Sequence, residues 1–196
     1  MGPLLMSNFD PWHPVQGLRR DAYKLLEQLH HETKETTVLI LFLGEQRVVV
    51  DAIHGRLALS SYYDVRLTSP LHGSASGLIL LSGISADVRA ELLGTEPYHS
   101  HTPHTATTRE RVESRLSDIV DRGYVVSREE AFQGVVAYGA PIRYRGNVLG
   151  CMVITASSHD IPQSKDTFYA NQVKASADLL ATSSPFVHQL SFLTQG

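Results

Sequence analysis

Two hairpins constrain this 196-residue chain more than any other feature of it. TTVLILFL runs into Gly44-Glu45-Gln46 and returns as RVVVDAI. Much later VVAYGAPI runs toward Arg145-Gly146-Asn147 and returns as VLGCMVIT. Aliphatic, β-branched runs joined across a short glycine turn pair antiparallel, because parallel neighbours need a crossover of about a dozen residues or more. Leu57 to Tyr63 and the YVVS segment from Tyr124 read as further strands. Helices separate them: Asp21 to Thr33 carries Ala22, Leu25, Leu26 and Leu29 on one face, and Ser85 to Leu93 stops at Gly94. A capping box at Thr107-Thr108-Arg109-Glu110 opens a helix that repeats Val112, Leu116, Ile119 and Val120 until Gly123. Asp166 to Leu180 closes the series with Tyr169, Val173, Ala177 and Leu180 on its inner side. The pattern predicts an α+β fold, a curved antiparallel sheet flanked by helices.

Between the first hairpin and the later helices lies TSPLHGSASGLILL, where Gly73, Ser74, Ala75, Ser76 and Gly77 precede four aliphatic residues. Small residues let another group approach the backbone, and a helix that begins there offers its first unpaired N–H groups. The run therefore reads either as an anion-accepting helix start or as a tight turn ahead of a buried helix. A nucleophile elbow is not supplied, since Ser74 directly follows Gly73 and Ser76 directly precedes Gly77. His72 has no orienting acid beside it. No P-loop or dinucleotide fingerprint occurs.

Other clusters invite weaker readings. His99, His101 and His104 suggest zinc, yet Pro103 breaks the regular geometry that would aim three rings at one point, so a solvated loop is favoured. Glu129 and Glu130 are adjacent and point apart, so at most one of them faces a pocket; a solvated turn or a salt bridge to Arg128 is the plainer reading. Cys151 is the lone cysteine, which excludes an internal disulfide and CxxC chemistry. A net charge of −3 gives no basic footprint for nucleic acid. The longest apolar runs fall short of the roughly 20 residues that span a bilayer, and no charged-then-apolar leader opens the chain, which fits a cytoplasmic protein without a membrane partner.

The order of blocks is more specific than any one of them. PLHGSASG, then TPHTAT, a capped helix ending in DRGY, SREEAFQGVVAYGAPI and RGNVLGCMVIT together resemble the effector-binding domain of the IclR family of bacterial transcriptional regulators. The resemblance runs from about Leu18 to Thr155, with the Asp166 to Leu180 helix as its closing helix. It implies a GAF-like domain, at 18–182, in which sheet and loop-helix enclose a small-molecule pocket. Residues 1–17 are then a linker from an absent winged helix-turn-helix domain, since MGPLLMSNF is similar to the segment that follows the wing, and 183–196 are a C-terminal tail. Operator DNA would be reached only through that absent domain, and copies of the chain would pair as homodimers or homotetramers.

Carried over position by position, the resemblance implies ligand contacts from Ser74, Ala75 and Ser76, with Leu59 and Tyr62 on the wall before them. It adds Ser127, where relatives can carry an acid, Ala137, where some carry cysteine, and Val153 and Thr155, where paired serines can occur. Alanine and valine in such places leave few partners for a very small polar acid. A larger ligand with an apolar body, an aromatic acid above all, fits better. No cofactor, metal or catalytic residue is implied. The alternatives are a dimerisation module with a vestigial pocket and a small GAF-like enzyme, the latter weakened because such reductases cycle two thiols.

Overall fold

The computed structural model describes residues 13–56 and 67–191. Leu59, Tyr62 and the strand expected over Leu57 to Tyr63 lie outside them. Five strands form one sheet in the order β2-β1-β5-β4-β3, every neighbour antiparallel: β1 (Thr36–Leu43), β2 (Gln46–Ile53), β3 (Val125–Arg128), β4 (Val135–Tyr144) and β5 (Asn147–Ser157). Both hairpins are where the sequence places them. Leu43 pairs with Gln46 across Gly44-Glu45, and Tyr144 pairs with Asn147 across Arg145-Gly146, whose φ angles of 48° and 86° are those of a two-residue primed turn. Pro141 is tolerated in β4 because β3 begins opposite Gly139 and covers only Val136 to Gly139, so beyond that point β4 is an edge strand.

The pleat sends alternate residues to opposite layers. Leu39 and Leu41 of β1, Val136, Tyr138, Ala140 and Ile142 of β4, and Met152, Ile154 and Ala156 of β5 meet α1 (Pro14–Thr33), α5 (Asp166–Ser183) and α6 (Pro185–Ser191). Val38, Ile40, Phe42, Val125, Cys151 and Val153 face the other way, toward α2 (Ala75–Ser82) and α4 (Arg109–Arg122). A short α3 (Ala86–Leu93) buries none of its residues fully.

Three boundaries differ from the sequence reading. The helix expected from Asp21 begins at Pro14, with proline at a position that needs no N–H and with Val15 and Leu18 buried. The segment read as a tail folds into α6, which buries Val187 and Leu190 in the same core. The cap of α4 is Thr108 rather than Thr107, because the Thr107 carbonyl is taken by the Tyr98 N–H at 2.8 Å; Thr108 Oγ1 then accepts from the Arg111 N–H. For α5 the expected inner residues Tyr169, Val173, Ala177 and Leu180 are all buried. Its start is tied to β3 by Arg128, which pairs with Asp166, while Tyr138 Oη donates to Asp166 Oδ1 at 2.7 Å.

Candidate functional site

The small-residue run is small for three separate reasons. A Cβ at Gly73 would stand 2.8 Å from the Glu130 carbonyl oxygen, and one at Gly77 would stand 2.3 Å from that of Leu71, so both glycines are demanded by backbone contact. Ser74 caps α2: its Oγ accepts from the Gly77 N–H at 3.3 Å and donates to the Pro70 carbonyl at 2.6 Å. Ala75 and Ser76 are left as the first residues of α2, facing open space. That space is a cavity of about 550 Å³, its open mouth included.

Every described residue that the resemblance nominated lies on that cavity. Ser74, Ala75 and Ser76 come from the start of α2, Ser127 from β3, Ala137 from β4, and Val153 and Thr155 from β5. The register makes this possible, since Ser127 pairs with Ala137 and Ala137 with Thr155, a row across three strands. Ile40, Ala131, Phe132 and Val135 add an apolar wall, and Leu67 and Ser69 close the side toward β2.

The separate sequence blocks converge here. Ser127 Oγ donates to the Gly73 carbonyl at 2.6 Å, joining β3 to the small-residue run. Thr102 and Thr105 of TPHTAT donate to the backbone carbonyls of Glu129 and Glu130, at 2.5 and 2.6 Å. His72 places Nε2 at 2.9 Å from the His99 carbonyl oxygen, which can only accept, so that nitrogen carries the proton. Its ring also packs on Tyr98 and His101. His72 is thus a clasp between two loops rather than a base for Ser74 or Ser76. His99 and His101 meet edge to face with centroids 4.5 Å apart, and burial together with His99 and His72 lowers the His101 pKa. Among the described residues no three His, Cys, Asp or Glu side chains are placed to hold a metal ion.

The two glutamates part company as their adjacency requires. Glu129, at φ 58°, accepts from Ser158 Oγ at 2.6 Å, and that bond holds its carboxyl below the usual range. Glu130 turns into a second, polar cleft with His104, Glu110, Arg111 and Arg115; burial pushes its carboxyl up, with Arg115 opposing from 2.8 Å. Its arginine partner is Arg115, not Arg128, because Arg128 is engaged by Asp166.

One buried charge beside the cavity escaped the sequence reading. Arg47 is 4% exposed, on β2 opposite Phe42. The two N–H groups of its Nη1 are shared among Ser69, Ser74 and Ser76 Oγ, at 3.1, 2.9 and 3.0 Å, and its Nη2 donates to the carbonyls of Leu67 and Ser69. No carboxylate among the described residues pairs with it. Burial pulls its guanidinium down to about 10, with Cys151 opposing, so it stays charged at neutral pH. The signal was present: Phe42 belongs to the inward phase of β1, and the residue paired with it must point inward too.

Comparison with known proteins agrees with this architecture. The family described as "Bacterial transcriptional regulator IclR C-terminal" matches residues 14–182. The regulator XynR of Escherichia coli is 32% identical over 126 residues, covering 64% of this chain and 50% of XynR. Among solved structures, the IclR of Thermotoga maritima superposes with a TM-score of 0.76 at 24% identity, covering 92% of this chain and 70% of that one. An IclR homolog from Microbacterium hydrocarbonoxydans, complexed with 4-hydroxybenzoate, gives 0.72 at 23% identity over 86% of this chain and 68% of that one. The chain spans about half the length of the curated relatives it matches. Its α+β fold is that of these domains, and with the family match extending from the start of α1 to the end of α5, the chain belongs to the family of bacterial IclR-type transcriptional regulators, as their C-terminal domain.

Proposed function

We propose that this domain senses a small organic acid with an apolar, preferably aromatic, body, and that occupancy of the cavity alters DNA binding by a linked helix-turn-helix domain. The cavity carries the reading: apolar on the Ile40, Phe132, Val135 and Val153 side, and polar where Ser69, Ser74 and Ser76 meet the start of α2. Such division suits an amphipathic ligand held by its polar end. The 4-hydroxybenzoate in the Microbacterium homolog supports the aromatic choice. An open cavity also speaks against a purely structural module, whose interior packing would have closed it. A catalytic reading has less support, because His72 Nε2 and the Ser74 hydroxyl proton are both committed to backbone carbonyls.

Isothermal titration of the 196-residue chain against hydroxybenzoates and against pyruvate tests the proposal. Binding of an aromatic acid, with pyruvate about tenfold weaker or more, is the expected result. Preference for pyruvate overturns the choice of ligand class, and absence of binding to every acid overturns the sensor reading.

A further inference from the structure

Burying a cation is costly unless an anion or a full set of acceptors meets it. Arg47 has the acceptors and, among the described residues, lacks the anion. The direction of the protons around it shows where the anion belongs. Ser74 accepts from Arg47 but spends its own proton on the Pro70 carbonyl. Ser69 and Ser76 also accept from Nη1, yet their hydroxyl protons have no acceptor among the described residues. The N–H groups of Ala75 and Ser76, at the first turn of α2, have none either. Four donors with no described acceptor therefore sit on one wall of the cavity, backed by a fixed positive charge.

We propose that Arg47 is the counter-charge for the carboxylate of the cavity's ligand, acting through Ser69 and Ser76, whose oxygens accept from the guanidinium and whose protons point to the ligand. This rests on the cavity being a ligand site and names what selects the ligand: a monocarboxylate is taken and its neutral isostere refused. A hydroxyl that accepts from a guanidinium is polarised into a better donor, so the charge is felt one bond away from where it sits. Arg47 is in this sense a positioning residue for the anion. A purely structural arginine, stapling β2 to the 67–69 segment and to α2, would hold the fold together and leave acid and amide equally bound.

Benzoate and benzamide, matched in shape and different in charge, separate the two roles, with acetate at constant ionic strength as a bare anion. Titration of the wild-type chain is expected to favour benzoate over benzamide by about tenfold or more, as charge-assisted hydrogen bonds require. Arg47→Met removes the preference, Arg47→Lys retains part of it, and Ser76→Ala weakens benzoate while leaving benzamide unchanged. A preference that survives in Arg47→Met overturns the proposal, as does equal binding of both compounds to wild type, which leaves the cavity a ligand site of another kind. Should neither aromatic bind while acetate raises the melting temperature of wild type but not of Arg47→Met, the counter-charge stands and the aromatic reading falls. Silence from all three compounds overturns both. If Arg47→Met fails to fold, Arg47→Lys and Ser76→Ala decide by the same ratio.

Discussion

The two faces of one sheet have been put to different uses. Toward α1, α5 and α6, Leu39 and Leu41 of β1, Tyr138, Ala140 and Ile142 of β4, and Met152 and Ile154 of β5 are no more than 4% exposed and form a continuous apolar layer. Toward α2, β4 and β5 present Ala137, Gly139, Val153 and Thr155, and the layer opens into a cavity with a buried guanidinium at its edge. Each strand supplies both surfaces through its pleat, so the difference owes nothing to topology. It comes from side-chain size at alternate positions. Where large residues alternate the face is filled, and where alanine, glycine and hydroxyl residues do, space and polarity remain.

The comparison can be broken most forcefully from its filled side. Ile154→Ala, at 0% exposure in the centre of β5, is expected to cost about 2–5 kcal/mol in chemical denaturation, with benzoate affinity of the folded protein unchanged. A similar cost accompanied by lost binding would mean the two faces are not separable. Smaller effects are expected on the open side, and they should reverse in kind. Ala75→Leu fills the cavity at the first turn of α2, where helix propensity is almost unaffected, and is expected to abolish benzoate binding with a stability change of about 1 kcal/mol or less. Val153→Ala instead widens it, costs about 1–2 kcal/mol and shifts preference to bulkier acids. Calorimetry and urea melts on the two variants measure both quantities.

The smallest effects sharpen the contrast within a single pair of neighbours. The Glu129 carboxyl is held below 4.5 by Ser158, so its ionised form stabilises the fold above that value and the contribution is lost as pH falls through the lowered pKa. Burial raises Glu130 above 4.5; its contribution is fully present below that value and is lost as pH rises through the raised pKa. Stability profiles between about pH 3 and pH 7 should therefore change in opposite senses: Glu129→Gln flattens the loss of stability toward acid, and Glu130→Gln steepens it. Parallel profiles would show that the two carboxyls share one environment.

Much of this was legible in the chain. Tight glycine turns fixed the hairpins, and helical spacing named the buried residues of α5, because local geometry alone decides both. What stayed hidden depends on contacts distant in sequence. The start of α1 and the whole of α6 define each other: a Cβ at Gly17 would stand 2.3 Å from the Phe186 ring, so a glycine that reads as a linker residue is the seat of an aromatic ring from the far end of the chain. At the cavity, the nominated residues came from the order of blocks; the inward phase of Arg47 was legible from its pairing with Phe42, but its bonds to Ser69 became visible only once β2 and the 67–69 segment stood side by side.

Cys151 carries a consequence of another sort. It lies at 0% exposure on β5, between Ile40 of β1 and Pro141 of β4, and burial raises its thiol pKa far above the ordinary range. A thiol reacts as thiolate and only where a reagent can reach it. Its side chain lies in the layer between the sheet and α2, so exposure requires α2 to lift off the strands and open that core, an event at the slow, costly end of the spectrum of openings. The rate at which a thiol reagent consumes this one sulfur is thus a clock built into the protein, recording how often α2 comes away from the sheet and how far a ligand bound beneath it slows that opening.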